Sequence, residues 1–313
     1  MTCCTIITRN YLPLASVLHT SLKKNCAGIN FYVLLVDNES VSAESNLKII
    51  SKSELAKGHF FNDIERKYAH TNTDIFRWAL KPILMGHLLQ QGYDKVIFLD
   101  PDLFFSGNID FIKNLLDVHS VLLTPHWADL NLINSQDSVL PVLRNGLYNA
   151  GFVAASQKGL PAIHWWAGMC HYKMERNPEL GIYDDQKYLD ILPAQFDDVH
   201  ILKHQGCNLA SWNIQTCKRE MLDGRLLINK QFEPVFIHFA KDTIVNILNR
   251  NDVLLRPYLD EYIRLLSENG FDLLQNLDNL SPARYDTVFY ELKHKLRLRT
   301  RLKRFLFKLA EKL

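Results

Sequence analysis

The hydrophobic positions in the first 125 residues follow two alternating spacings. Short apolar runs rich in β-branched and aromatic residues, a pattern typical of buried strands, occupy residues 3–8, 31–37, 95–100 and 120–124. Between these runs the apolar residues recur at helical spacing, for example at Leu14, Val17, Leu18 and Leu22. Strands that alternate with helices favour parallel βαβ units. We therefore expect an α/β fold with a mostly parallel sheet flanked by helices.

The pattern becomes mixed after about residue 150 and helical near the end. It predicts, in order, a strand at 152–155, a helix at 159–175, an acidic turn at 184–190 and strands near 199–202 and 234–239. From residue 241 onward the spacing is helical. We therefore expect an α/β domain over residues 1–240 and a helical C-terminal extension over residues 241–313.

Two of the predicted strands end in a carboxylate, Asp37 and Asp100. Open α/β sheets bind ligands outside the carboxyl ends of their strands, so both acids are expected near a binding site. Residues 9–13, which follow the first strand, contain no glycine turn, and the chain has no Gly/Lys phosphate-binding loop. A bound nucleotide diphosphate would therefore need another partner for its phosphates. A metal ion held by carboxylates is the obvious substitute.

The strongest candidate for such a site is Asp100-Pro101-Asp102, directly after an apolar strand. Two carboxylates at this spacing can converge on one hard divalent cation, and Mg²⁺ or Mn²⁺ would keep positions open for substrate phosphates. The alternative is that both acids are turn or cap residues. His238 follows a buried-strand pattern and could complete the site, although a lone histidine in this setting is more often a hydrogen-bonded core residue.

The segment around Asp100 and Asp102 resembles the Asp-x-Asp motif of GT-A fold, nucleotide-sugar-dependent glycosyltransferases, and its context is similar to family 8 members. Further segments match that family in the same order, in scattered blocks over roughly residues 2–240. They are Thr8-Arg9-Asn10, residues 76–82 (FRWALKP), residues 149–152 (NAGF), Asp184-Asp185-Gln186 and residues 236–239 (FIHF). The chain departs from the family after the histidine, where Ala240-Lys241-Asp242 stands in place of glycine and Lys-Pro-Trp.

The resemblance implies a hexosyltransferase that moves a sugar from a nucleotide diphosphate donor, in particular a UDP-sugar, to a glycan hydroxyl. Surface-polysaccharide or lipopolysaccharide assembly and a retaining reaction are implied by the same subfamily. Mn²⁺ or Mg²⁺ would be the cofactor, held by Asp100, Asp102 and His238. Two catalytic residues, Asp185 and Gln186, would lie beside the reacting carbon. The implied donor-binding residues are Thr8, Asn10, Asp37, Arg77, Lys81, Asp100, Asn149 and Gly151.

Two other readings of the site remain open. A sugar-nucleotide nucleotidyltransferase uses a similar sheet and metal carboxylates, but it normally has a glycine- and lysine- or arginine-rich loop after the first strand. The other is a non-catalytic glycan- or lipid-binding module with a relict site.

Asp184 is interpreted as a helix cap and Asp185 as the functional acid of the pair. Four tryptophans could stack against an acceptor sugar, although such aromatics are more often core residues: Trp127, Trp165, Trp166 and Trp212.

The composition, with 47% hydrophobic and 22% charged residues among 313, is ordinary for a globular protein and excludes collagen-like, extensively disordered and disulfide-dense classes. The six cysteines form no C-x-x-C pair, so we expect free thiols. We find no signal-peptide pattern and no apolar run of about 18 residues. The expected location is therefore cytoplasmic.

The formal net charge of +2 is unevenly divided. Residues 293–313 carry nine basic side chains and one acid, so the rest of the chain is net acidic. Six apolar residues of this basic tail have helical spacing: Leu298, Leu302, Phe305, Leu306, Leu309 and Leu313. A basic amphipathic helix can lie on an anionic membrane. We therefore expect the tail to hold the protein on the inner face of the membrane, near a lipid-linked acceptor. Dimerisation or docking on the protein's own body are alternatives, and no nucleic-acid-binding motif supports a nucleic-acid partner.

Overall fold

The computed structural model describes residues 1–37, 47–130, 139–177 and 179–277. The strands are β1 (Thr2–Ile7), β2 (Asn30–Leu35), β3 (Lys48–Ile50), β4 (Lys95–Leu99), β5 (Leu103–Phe105), β6 (Val121–Pro125), β7 (Tyr148–Ser156), β8 (Arg176–Asn177), β9 (Ile182–Tyr183), β10 (Val199–Ile201), β11 (Arg219–Leu222), β12 (Arg225–Ile228) and β13 (Phe236–His238). The helices are α1 (Leu12–Asn25), α2 (Lys52–Leu55), α3 (Phe61–Tyr68), α4 (Thr73–Ala79), α5 (Lys81–Gln90), α6 (Asp110–Val118), α7 (Val139–Asn145), α8 (Leu160–Tyr172), α9 (Leu192–Gln195), α10 (Lys241–Leu248), α11 (Arg256–Glu268) and α12 (Leu273–Asn276).

Within the described ranges, seven strands form the main sheet in the order β10-β6-β7-β4-β1-β2-β3. All neighbouring pairs are parallel except those made by β7, which runs antiparallel to both β4 and β6. The predicted α/β fold with a mostly parallel, helix-flanked sheet is therefore confirmed. The sequence prediction placed only 152–155 in β7, and it assigned no strand to β3 or β5.

Alternate residues of the central strands point to opposite faces, and each face is covered. Cys4, Phe98 and Val153 pack on one side, in the same cluster as residues of α5 and α8. Cys3 and Ile97 pack on the other side, in the same cluster as residues of α1 and α6. Burial on both faces explains why these strands read as continuous apolar runs rather than as alternating ones.

The direction of β7 places its first residues at the functional edge of the sheet. Because β7 is antiparallel to β4, the beginning of β7 lies beside the end of β4, and Leu99 pairs with Phe152. Asp100 then donates its backbone N–H to the carbonyl of Gly151 over 2.8 Å. The carboxyl end of β4 and the amino end of β7 therefore meet at one edge.

The chain divides into two compact units, Met1–Phe271 and Asp272–Leu313. The helices α10 and α11 belong to the first unit, and α11 packs against α1. In the second unit the described residues include α12, where the Asp272 side chain accepts the backbone N–H of Gln275. The basic tail at 293–313 lies outside the described residues, and the predicted boundary at residue 240 stays a prediction. Within the described part of the chain, no helix is both long and apolar enough to cross a bilayer.

Candidate active site

The two carboxylates of the Asp-Pro-Asp segment lie in the turn that joins β4 to β5. The backbone N–H of Leu103 donates to the carbonyl of Asp100 over 3.2 Å, which closes the turn. The carbonyl of Asp102 accepts the N–H of Phe239 over 2.9 Å. The turn is therefore fixed on both sides by backbone hydrogen bonds, and it holds both side chains at the carboxyl edge of the sheet.

His238 reaches this turn because β13 pairs antiparallel with β5, opposite Leu103. Its Nε2 lies 3.1 Å from Asp102 Oδ1. Burial opposes the charge on both groups, but each charge favours the other. The pKa of His238 is therefore raised and the pKa of Asp102 is lowered from their ordinary values.

Asp100, Asp102 and His238 each offer a ligand atom, and these atoms all lie within 4.8 Å of one another. Two carboxylates and an imidazole suit Mn²⁺ or Mg²⁺. Gly151 keeps the space beside them open, since a Cβ there would lie 2.8 Å from Asp100 Oδ2 and 3.0 Å from His238 Cε1. The residues present therefore fit a divalent cation.

Lys81 connects this triad to Asp185. Its ammonium at the start of α5 is buried and lies 3.2 Å from Asp100 Oδ1, 3.3 Å from Asp185 Oδ2 and 3.2 Å from the carbonyl of Ala150. Burial favours the neutral amine, but the two carboxylates outweigh it and raise the pKa of Lys81. We call Lys81, Asp100, Asp102, Asp185 and His238 the carboxylate cluster. It contains three carboxylates but only two basic groups.

Asp185 is buried beside α8, where Trp166 donates its indole N–H to the Asp185 carbonyl over 2.9 Å. Burial is the main reason that the pKa of Asp185 is raised to about 6, with Lys81 acting in the opposite direction. The amide of neighbouring Gln186 accepts the N–H of Ala150 over 3.2 Å and donates to the carbonyl of Asn145 over 2.9 Å. Gln186 therefore attaches this acidic turn to the beginning of β7.

The interpretation of Asp184 as a helix cap is wrong. The short 3₁₀ helix at Lys187–Ile191 begins after Gln186, and no side chain caps it. Asp184 adopts a left-handed backbone with φ of 47°, and its carboxylate pairs with Arg176 at 2.5 Å. This ion pair directs Asp184 away from the helix end that the sequence suggested.

Asn149 lies at the same edge and bends back onto its own strand. Its Oδ1 accepts the N–H of Gly151 over 2.8 Å, and its Nδ2 lies 3.3 Å from His126 Nε2. Burial lowers the pKa of His126 to about 4, so this imidazole is neutral near pH 7. Asn149 and Gly151 both lie in β7, and Gly151 borders Asp100 and His238.

The remaining predicted donor-binding residues make their described contacts with other partners. Thr8 hydrogen-bonds to Asn10, and Asp37 accepts the N–H of Arg9 on both carboxylate oxygens at 3.0 Å. Arg77 is buried, pairs with Asp74 at 2.5 Å and lies over the ring of Tyr11 at 5.0 Å. Among the residues that the structure describes, no hydrogen bond or ion pair joins Thr8, Asn10, Asp37 or Arg77 to the carboxylate cluster.

Sequence reasoning missed two polar residues of this region, His126 and Asn208. His126 directly follows β6, so its place at a strand end was a usable signal. The Oδ1 atom of Asn208 lies 3.3 Å from His238 Nδ1. Nothing in the sequence around Asn208 indicates this contact. Trp212, named above only as a weak candidate, packs edge-to-face on His238 with ring centres 5.3 Å apart.

Comparison with known proteins identifies relatives in Bacillus subtilis (strain 168). The uncharacterized protein YfnD is 30% identical over 250 residues, which cover 77% of this chain and 78% of YfnD. This chain belongs to the YfnD family. A second member, the uncharacterized protein YfnF, is 24% identical over 294 residues, covering 89% of this chain and 94% of YfnF. No protein-family model matches the chain.

Solved structures with related architecture include the galactosyltransferase LgtC in complex with donor and acceptor sugar analogs. It has a TM-score of 0.45 and 16% identity, covering 76% of this chain and 87% of LgtC. The apo form of mouse xyloside xylosyltransferase 1 has a TM-score of 0.45 and 14% identity, covering 78% of this chain and 99% of that protein. These scores are low, so the function of this YfnD-family chain has to be argued from its own site.

Proposed function

We propose that this protein is a metal-dependent GT-A glycosyltransferase that moves a hexose from a nucleotide diphosphate sugar, a UDP-sugar in particular, to a hydroxyl of a glycan. The observation that carries the proposal is the convergence of Asp100, Asp102 and His238 at the carboxyl edge of the sheet. That is where open α/β sheets bind their ligands. The convergence joins a motif at residue 100 to a histidine 138 positions later, as the family resemblance implies.

Each part of the site has a role in this reaction. Asp100, Asp102 and His238 would hold Mn²⁺ or Mg²⁺, which when bound neutralises charge on the departing diphosphate. Lys81 holds Asp100 and Asp185 in place and contributes positive charge beside the donor. Asp185 and Gln186 would lie near the anomeric carbon, where an ionised carboxylate stabilises an oxocarbenium-like transition state. Gly151 leaves room for the donor to approach the backbone.

The finer assignments follow the family resemblance. Thr8, Asn10 and Asp37 would line the nucleotide pocket, Arg77 would support phosphate or sugar binding, and Asn149 would face the donor sugar. Retention of anomeric configuration and a role in lipopolysaccharide or other surface-polysaccharide assembly are part of the same proposal. The basic tail would hold the enzyme on the cytoplasmic face of an anionic membrane, close to a lipid-linked acceptor.

The test of catalysis is release of UDP from a panel of UDP-sugars, with Mn²⁺ and with EDTA. We expect metal-dependent hydrolysis by the wild type and a loss of at least about 100-fold in Asp102→Asn, because one ligand and one negative charge are removed. Asp117→Asn, which removes an exposed carboxylate paired with Lys95, is the matched control and should keep full activity. Full activity of Asp102→Asn in EDTA contradicts the proposal. Formation of UTP and a sugar 1-phosphate when pyrophosphate is added to the UDP-sugar would indicate a nucleotidyltransferase.

The membrane role of the tail is tested separately. Full-length protein and a truncation after residue 292 are sedimented with vesicles that contain anionic lipid. We expect the full-length protein to pellet and the truncation to stay in the supernatant, with the difference reduced at high salt because screening weakens the attraction. Equal pelleting of the two proteins would overturn this part of the proposal.

A further inference from the structure

Asn208 contacts the Nδ1 edge of the imidazole ring of His238, a proposed metal ligand. The asparagine is fully buried, and its Oδ1 lies 3.3 Å from His238 Nδ1. Its Nδ2 faces the carbonyl of Pro125 at 3.4 Å. A backbone carbonyl only accepts hydrogen bonds, so the amide nitrogen must face Pro125 and the amide oxygen must face His238. The Nδ1 atom of His238 is therefore the donor in this contact.

This orientation has a chemical consequence for the opposite nitrogen of the ring. When Nδ1 keeps its proton, a cation that displaces the other ring proton meets a lone pair on Nε2, the atom that faces Asp102 at 3.1 Å. That lone pair points into the triad that fits a divalent cation. Trp212 packs against the ring and limits its rotation. The backbone of His238 is held separately, because its N–H donates to the carbonyl of Leu209 over 2.9 Å.

Asn208 is itself held by a buried polar network. The backbone carbonyl of Asn208 accepts a hydrogen bond from Asn213 Nδ2 over 2.7 Å, and Asn213 Oδ1 accepts the N–H of Ala210 over 3.1 Å. The backbone of Asn208 is left-handed, with φ of 62°, a conformation that asparagine and glycine tolerate best. The backbone therefore explains an asparagine or a glycine here, but only the side chain explains the contact with His238.

We propose that Asn208 is a positioning residue that fixes the tautomer and orientation of His238 for metal binding. The inference rests on the metal site of the proposed function. Outer partners of ligating histidines raise metal affinity by orienting the ring, and their loss commonly weakens binding 10- to 100-fold. Asn208 acts through His238 and does not itself reach the triad.

The test compares Mn²⁺ affinity, measured by electron paramagnetic resonance or calorimetry, in the wild type, Asn208→Gly and Asn208→Asp. Glycine suits the left-handed backbone but lacks the acceptor, so we expect about 10- to 100-fold weaker binding. Aspartate loses the donation to Pro125 but keeps the acceptor oxygen toward His238, so it should bind Mn²⁺ within about threefold of the wild type. Equal Mn²⁺ affinity of Asn208→Gly and the wild type overturns the proposal, and so does an equal loss in both variants.

A matched control separates positioning from general stability. Asn229 is also left-handed, with φ of 52°, and its Nδ2 donates to Gln205 Oε1 at 2.8 Å and to the carbonyl of Thr216 at 2.7 Å. Asn229→Gly should lower thermal stability and leave Mn²⁺ affinity unchanged. Loss of Mn²⁺ affinity in this control as well would show that the effect of Asn208→Gly is structural.

A measurement on the unmutated protein keeps the inference testable if the variants do not fold or if the wild type binds no metal. Nitrogen-15 NMR of histidine-labelled protein, with His238 assigned by its absence in His238→Gln, reports whether Nδ1 of His238 carries a proton. We expect a proton on Nδ1, and an Nδ1 without a proton overturns the proposal. Failure of the wild type to bind Mn²⁺ would instead count against the proposed function.

Discussion

Two buried ionic clusters of this protein differ in how completely their charges are balanced. Arg219 and Asp252 form a one-to-one pair at 3.0 Å, and both side chains are only 3% exposed. The guanidinium also donates to the carbonyls of Ala210 at 2.9 Å and Asn213 at 3.3 Å. The carboxylate cluster, in contrast, has more acids than bases, and the side chains of Asp100 and Asp102 remain 24% and 29% exposed.

The difference separates a structural ion pair from a binding site. A buried pair with one acid for one base carries no excess charge to offer a ligand, and its contacts fix the chain around it. Arg219 indeed organises the segment 210–217, which carries Trp212 and Asn213 to the region of His238. An excess of partly exposed carboxylates is instead stabilised further by a cation. The first cluster is therefore expected to determine stability, and the second to determine ligand affinity.

The largest effect on stability is expected from breaking the balanced pair. Asp252→Asn leaves Arg219 buried without a counter-charge, which should lower the free energy of unfolding by about 3–5 kcal/mol. Chemical denaturation measures it, with Asp260→Asn, an exposed acid paired with Arg256, as the control. Mn²⁺ affinity of the folded fraction should be retained. A loss of stability no greater than that of the control would show that the two clusters do not differ in this way.

The next effect concerns the pH dependence of the carboxylate cluster. The pKa of Asp185 is raised from 3.8 to about 6, so its ionisation opposes folding as pH rises through this range. The asparagine of Asp185→Asn is neutral at every pH. The free energy of unfolding of this variant should therefore rise by up to about 3 kcal/mol relative to that of the wild type between pH 4 and pH 7. Urea denaturation at both pH values measures the difference. An effect of Asp185→Asn that does not change with pH would contradict this view of Asp185.

A smaller effect is expected from filling the space beside the triad. Gly151→Ala places a methyl group against Asp100 Oδ2 and His238 Cε1, so Mn²⁺ affinity should fall about 10- to 100-fold, or roughly 1.4–2.7 kcal/mol. Gly86→Ala in α5 is the matched control, because the nearest atoms to its Cβ would belong to the His164 and Ile163 side chains, at ordinary distances of 3.4 Å or more. That control should be slightly stabilising, by about 1 kcal/mol at most. Equal Mn²⁺ affinity in Gly151→Ala and the wild type would place the cation elsewhere.

The smallest effect is expected outside the carboxylate cluster. Asp37→Asn weakens the two contacts to the Arg9 N–H at an exposed position, so the loop after β1 should be less ordered. The KM for the donor should rise about 2- to 10-fold, equivalent to roughly 0.5–1.4 kcal/mol, while kcat stays unchanged. Steady-state kinetics with varied donor concentration provides the measurement. A fall in kcat larger than the rise in KM would instead give Asp37 a role in the chemical step.

The sequence by itself determined the strand–helix alternation and the edge of the sheet where ligands are expected. The apolar runs at β1, β2, β4 and β6 were recognisable because strands buried on both faces contain few polar residues. It also indicated Asp100 and Asp102 as a pair. Two carboxylates that are two residues apart in one turn can lie close together whatever the rest of the chain does. The strand pattern before His238 indicated it as one possible ligand, whereas Lys81 and Asp185 were indicated through the family resemblance.

Only the tertiary structure decided how these residues meet. The antiparallel direction of β7 brings Gly151 to Asp100, and the pairing of β13 with β5 brings His238 to Asp102, because hydrogen bonding between distant segments sets the register. Strand β5 is too short, and Asn208 too isolated in its context, to be recognised beforehand. The Arg176–Asp184 pair overrode a local capping preference for the same reason. Local patterns determine elements, whereas contacts between residues far apart in sequence determine which polar groups share one buried site.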